Sequence, residues 1–129
     1  MENNRIETAF LIDSLSSARK AVTMNSSKNL ILISSRIATA YTGGRYFIEI
    51  YKILLSEENE LNISMWIDCG SNIGIALNSI REGAKNIIFR GLNEESISQM
   101  LYKVGGKCIN ESPWKLNKSL VDINLTKHF

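Results

Sequence analysis

The fold is decided by residues 61–109, which read LNISMWIDCGSNIGIALNSIREGAKNIIFRGLNEESISQMLYKVGGKCI. Three apolar runs in this stretch predict buried strands, at residues 61–67, 85–89 and 107–109. Between them, apolar residues recur at the i, i+3, i+4 and i+7 positions of amphipathic helices. The first helix is expected to end before Gly83 as its left-handed cap, and the second to begin at the capping residue Asn93.

The preceding residues predict a further strand flanked by helices. Residues 29–33 are the most apolar run of the chain and are expected to form the central strand. Residues 6–24 have the periodicity of a leading helix. Residues 34–42 are expected to be a loop, after which Gly43-Gly44-Arg45 begins the next helix.

Alternating strands and helices with short connections predict one α/β domain, a small three-layer sandwich with helices on both faces of a mostly parallel four-stranded sheet. With the strands at 29–33, 61–67, 85–89 and 107–109 numbered 1 to 4, the expected order is 2-1-3-4, as in flavodoxin-like domains. We expect a single domain with a leading helix in residues 1–28, the core in 29–112 and an apolar tail in 113–129. Such a tail would pack on the domain, add an edge strand or form a homo-oligomer contact.

Composition predicts a cytoplasmic globular protein. The 129 residues are 44% hydrophobic and 22% charged, with a net charge of +2. The basic residues do not cluster, so nucleic acid is not an expected partner. No apolar run approaches the roughly 20 residues of a membrane span, and the start of the chain lacks a secretion signal. The richness in Ile, Asn, Lys and Ser indicates an AT-rich bacterial genome.

The expected ligand site is at the carboxyl ends of the strands, where parallel α/β domains bind ligands. Small polar and charged residues follow the apolar runs there, namely Ser34, Ser35, Arg36, Ser71 and Arg90. A second group, Thr42, Gly43, Gly44 and Arg45, combines a hydroxyl, two glycines, the first amides of a helix and a cation. This combination predicts a cradle for a phosphate or carboxylate, although the same residues also suit a simple helix cap.

Asp68 and Cys69 are the candidate catalytic residues. An aspartate after a central strand can act as a base or hold a metal, and a cysteine before a helix can have a lowered pKa. Alternatively, Asp68 caps the next helix and Cys69 fills space beside the sheet. The only histidine, His128, is expected in a mobile tail, so no nucleophile and base pair is predicted. No pattern indicates a metal or a cofactor, and Trp66, Phe47 and Phe89 are expected in the core.

Residues 74–89, GIALNSIREGAKNIIF, resemble the helix-to-strand return of βα proteins, including (βα)-barrel enzymes and receiver-like domains. The resemblance implies a structural unit. Receiver domains have an acidic pair after the first strand, whereas Ser34 and Ser35 stand there in this chain.

The resulting hypothesis is a binding or regulatory module that holds an anionic ligand or a protein partner. One alternative is a small enzyme acting on a phosphorylated or carboxylated metabolite, with Asp68 or Cys69 as the reactive group and Arg45 and Arg90 as anchors for the anion. The other is an assembly subunit whose tail is the interface.

Overall fold

The computed structural model describes residues 8–121, with side chains for all of these except 115–119. The described residues form six strands and five helices, in the order β1 (Thr8–Ile12), α1 (Leu15–Met24), β2 (Asn29–Ser34), α2 (Arg36–Thr42), α3 (Gly44–Glu57), β3 (Asn62–Gly70), α4 (Ile73–Arg81), β4 (Asn86–Phe89), α5 (Glu94–Lys103), β5 (Lys107–Ile109) and β6 (Lys115–Ser119).

All six strands lie in one parallel sheet, in the order β5-β4-β3-β2-β1-β6. The predicted class, an α/β domain on a parallel sheet, is confirmed. The predicted order 2-1-3-4 is wrong, because the four predicted strands are β2 to β5 and lie side by side in chain order. The place beside β2 that the prediction gave to β4 is taken by β1.

The leading helix of residues 6–24 is also wrong in its first half, because Thr8–Ile12 is a strand that pairs with β2. Helix α1 begins only at Leu15, after a capping box. The Ser17 amide donates to Ser14 Oγ at 3.1 Å, and the Ser14 amide donates to Ser17 Oγ at 3.0 Å. Residues 9–12 are all apolar, and their pairing within the sheet outweighs the helical periodicity of residues 6–24.

Residues 34–42 are not a loop. Arg36–Thr42 forms the short helix α2, which begins at Ser35, whose Oγ accepts from the Ala38 amide at 3.3 Å. The Thr39 hydroxyl is buried and donates to the Ser35 carbonyl at 2.7 Å. The small and hydroxyl side chains of α2 lack the apolar stripe that reveals a longer helix.

The carboxyl-terminal segment adds an edge strand, which confirms one of the three expectations for it. Lys115–Ser119 forms β6, which pairs with β1 in parallel. Residues 122–129 of the predicted tail, including His128, lie outside the described residues.

The two faces of the sheet are covered differently. On one, here called the helix face, strand residues such as Leu32 and Ile67 share a core cluster with residues of all five helices, among them Ala18, Ala38, Phe47, Ala76 and Leu101. The predicted core positions Phe47 and Phe89 are confirmed there. Adding strands in one direction with right-handed crossovers places every helix on the same face, which accounts for this arrangement.

The opposite side of the sheet, here called the second face, has a smaller apolar cluster of Ala9, Ile31, Ile33, Trp66 and Ile88. Trp66 is therefore a core residue, as predicted. Within residues 8–121 no helix contributes to this cluster. Trp114 packs against it in place of the expected helix, with its ring centroid 4.9 Å from that of Trp66.

Candidate functional site

The carboxyl ends of β3, β4 and β5 are joined by an ion pair. Arg90 Nη2 donates to Asp68 Oδ1 at 3.1 Å and to Oδ2 at 3.3 Å, and Arg90 Nη1 donates to the Asn110 carbonyl at 3.0 Å. Asp68 Oδ1 also accepts from the Gly70 amide at 2.9 Å. The side chains of Asp68 and Arg90 are 16% and 35% exposed. These bonds fix the orientation of a guanidinium that still reaches solvent.

A second arginine, Arg36, lies beside Gly70, which ends β3 and precedes the turn at Ser71. Gly70 has φ +57°, and a Cβ built on it would lie 2.9 Å from Arg36 Cδ, so the stem of Arg36 runs directly over this glycine. The ion pairs of the described residues do not include Arg36, whose side chain is exposed. Arg36 follows β2 and Arg90 follows β4, the two neighbours of β3, so the two arginines flank Gly70 at the end of β3.

Beside this turn is an open cleft of about 430 Å³, lined by Ser71, Ile73, Phe89, Arg90, Gly91, Leu92 and Asn93. A Cβ on Gly91 would lie 2.2 Å from the Phe89 ring, so only glycine allows this ring to occupy its position. Ile73 begins α4, whose cap is Asn72 and whose first turn has no acidic residue. Unpaired amides at a helix start favour anions. The structure thus brings together Ser71 and Arg90 of the predicted ligand residues.

Ser34 and Ser35, by contrast, stabilise the backbone. Ser34 is fully buried, with its Oγ 2.7 Å from Thr39 Oγ1, and it accepts from the Asp68 amide at 2.9 Å. Ser35 caps α2, and its amide donates to the Ile12 carbonyl at 2.8 Å. Both hydroxyls therefore have partners within the protein.

The contacts of the Thr42-Gly43-Gly44-Arg45 segment favour a helix junction. The Thr42 hydroxyl donates to the Ala38 carbonyl at 2.9 Å, and Gly43, with φ +86°, separates α2 from α3. A Cβ on Gly44 would overlap Ser79 of α4, which makes this glycine a close-packing position. Arg45 Nη1 lies 3.6 Å from Glu82 Oε2 and is well exposed. It belongs to the helix layer, whereas strand alternation places Arg90 on the second face, so the two predicted anchors are not brought together.

Cys69 lies on the helix face and is 3% exposed. Burial raises the pKa of this thiol to about 12, the nearby Ser79 hydroxyl lowers it in part, and the negative charges of Asp68 and Cys108 raise it further. Because the thiolate is the reactive form, this environment disfavours Cys69 as a nucleophile. Burial also raises the pKa of Cys108, and both cysteines are free thiols.

Three residues of this edge were not predicted as site residues. Asn93 makes no side-chain cap bond and lines the cleft, Leu92 beside it is fully exposed, and Asn110 supplies the carbonyl that holds Arg90. Their positions directly after strands β4 and β5 are the signal that could have identified them.

Comparisons with protein-family models and with curated proteins give no match to this sequence. Within residues 8–121, no three His, Cys, Asp or Glu side chains are close enough to hold a metal ion. No helix of that same range has the length and apolar character required to cross a bilayer.

Proposed function

We propose that this chain is a cytoplasmic α/β binding module that holds a small anion, a phosphate or carboxylate group, in the cleft at the carboxyl ends of β3 and β4. The observation that carries the proposal is that two arginines approach the end of β3 from its two neighbouring strands: Arg36, after β2, runs over Gly70, and Arg90, after β4, lines the cleft. Two guanidinium groups together with the start of α4 offer charge-assisted hydrogen bonds to one anion.

Fixation of Arg90 supports the same proposal. Because Asp68 and the Asn110 carbonyl already orient the guanidinium, little side-chain entropy is lost when a ligand binds to it. Arg36 has no such partner within residues 8–121 and would neutralise the ligand from the β2 side of Gly70.

The enzyme alternative has less support. Cys69 is buried as a protonated thiol, and both carboxylate oxygens of Asp68 accept bonds from Arg90. For the assembly alternative, residues 115–119 of the tail pair with β1 in the chain's own sheet as β6.

The test is a thermal-shift titration with inorganic phosphate, malonate and adenosine monophosphate. A ligand at about 100 times its Kd adds roughly 2.7 kcal/mol to the free energy of unfolding, which raises Tm by several degrees for a domain of this size. We expect R36Q and R90Q to raise the apparent Kd for the anion by about tenfold or more, since each substitution removes a charged hydrogen-bond donor.

Arg45→Gln is the matched control, because it makes the same chemical change at an exposed arginine in the helix layer. Ser71→Asp is a second variant that leaves the Asp68–Arg90 pair intact and places a negative charge in the cleft wall. It should abolish the response without loss of stability. An equal response in all four variants, or none in the native chain, would contradict the proposal.

A further inference from the structure

A second pocket lies on the second face, at the amino ends of the strands and thus at the opposite edge of the sheet from the cleft. Its volume is about 310 Å³, and it is lined by Asn29, Ile31, Asn62, Ser64, Trp66, Asn86, Lys107 and Trp114. Four neighbouring strands, β2 to β5, contribute to it. The proposed anion site shares none of these residues.

Asparagine amides form the polar side of this pocket. Asn29, Asn62 and Asn86 are the first residues of β2, β3 and β4, although asparagine is disfavoured in strands. Asn62 Nδ2 donates to Asn29 Oδ1 at 3.0 Å. Asn86 is half-buried, and its side-chain amide forms no hydrogen bond with any side chain or backbone group in residues 8–121. Donors and acceptors on adjacent strands therefore point towards the same open space.

Tryptophan rings form the apolar side. Trp66 is 7% exposed and supports the half-buried Trp114, with the ring planes inclined at 55°. The backbone of Trp114 is held by Ser112, whose Oγ accepts from the Trp114 amide at 3.3 Å. A centroid separation of 4.9 Å leaves no slot for a flat base between the two rings, so a ligand contacts the pair from one side.

The charge of the pocket is low. Among the side chains that the structure describes, Lys107 is the one charged group that lines it, and none of these side chains contributes a carboxylate. This composition suits a neutral ligand or one with a single negative group, rather than a nucleotide with several phosphate charges.

We propose that this pocket binds a sugar ring, neutral or carrying one carboxylate. A pyranose has an apolar C–H face that packs on an indole and equatorial hydroxyls that both donate and accept hydrogen bonds, which amide side chains match group for group. The tryptophan pair takes the C–H face, Asn62 and Asn86 bind hydroxyls, and Lys107 interacts with a uronic acid carboxylate.

Intrinsic fluorescence provides a direct test, because the two tryptophans of the chain both line this pocket. The full-length protein is titrated with glucose, galactose, mannose, N-acetylglucosamine and glucuronate. We expect saturable quenching or a shift of the emission maximum with at least one sugar. Asn86→Ala should weaken this binding about tenfold, as expected for the loss of two hydrogen bonds, without changing Tm.

Lys107→Gln separates the two kinds of sugar, since it should weaken glucuronate and leave neutral sugars unchanged. Arg45→Gln, at an exposed arginine of the helix layer outside both sites, is the matched control and should leave every sugar titration unchanged. Because the anion site is tested by thermal shift with phosphate and the sugar site by tryptophan fluorescence, failure of one is distinguishable from failure of the other. No saturable response from any sugar, a response that survives Asn86→Ala, or saturation by adenosine alone would overturn the sugar assignment.

Discussion

The helix face and the second face of the same sheet contain different kinds of polar groups. On the helix face these groups are small hydroxyls. Ser34, Thr39 and Ser17 are buried and bonded to neighbouring protein atoms, whereas the buried Ser79 Oγ has no hydrogen-bond partner in residues 8–121. On the second face they are longer amides and charges, including Asn86, Lys107 and Arg90, which reach solvent at the two ends of the strands.

This difference separates polar groups that stabilise the fold from polar groups that remain open to a ligand. Hydroxyls whose bonding capacity is met within the protein allow helices to pack closely on the sheet, and their partners are fixed by folding. Amides and guanidinium groups that retain unused donors at an open surface contribute little to folding and are available to a ligand. Stability is therefore concentrated on the helix face, and the polar groups on which the two proposals depend lie at the two ends of the strands.

The largest expected effect is on the helix face. Phe47 is 0% exposed and lies within the core shared by the helices, so Phe47→Ala should lower the free energy of unfolding by about 3–5 kcal/mol in a urea titration. Leu92→Ala, in the wall of the cleft, should change it by less than about 0.5 kcal/mol because this side chain is fully exposed. Comparable losses in the two variants would break the assignment of stability to the helix face.

The next effect concerns the two thiols. Because Cys69 is buried and its pKa is raised to about 12, iodoacetamide should modify Cys69 much more slowly than the half-buried Cys108 at neutral pH, as followed by mass spectrometry. Because the pKa of this thiol is higher in the folded than in the unfolded chain, its contribution to the free energy of unfolding is fully present below about pH 8.5. That contribution is lost as the pH rises towards 12. Cys69→Ala should flatten this alkaline loss, and rapid modification of Cys69 in the native protein would contradict its burial.

The smallest effect compares one polar group from each face. Ser34→Ala removes the acceptor of the Asp68 amide and the partner of the Thr39 hydroxyl, so we expect a loss of about 1–2 kcal/mol. Asn86→Ala should change the free energy of unfolding by less than about 0.5 kcal/mol, because the side-chain amide of Asn86 has no partner among the described residues. Equal losses in thermal denaturation would show that both faces hold structural polar groups.

Residues 61–109 illustrate how far local patterns extend. Both helices and all three strands predicted there are present, and Gly83 has the expected positive φ of +109° after α4. Ser71 and Arg90, predicted because polar residues directly follow apolar runs, line one cleft in the structure. Arg45 was misplaced as a partner of Arg90, because its position after two glycines resembles an anion cradle while its nearest charge is Glu82.

The sequence by itself determined the α/β class, the parallel sheet and most helix and strand positions, since these depend on the spacing of apolar residues and on caps a few residues apart. Only the tertiary structure decided the strand order, the strand at Thr8–Ile12 and the meeting of Arg36 with Gly70. These features arise from backbone pairing and packing between residues that are distant in the chain. A pattern of a few residues carries no information about which distant strand becomes its neighbour, and that choice gathered Asn29, Asn62, Asn86 and Trp114 around one pocket.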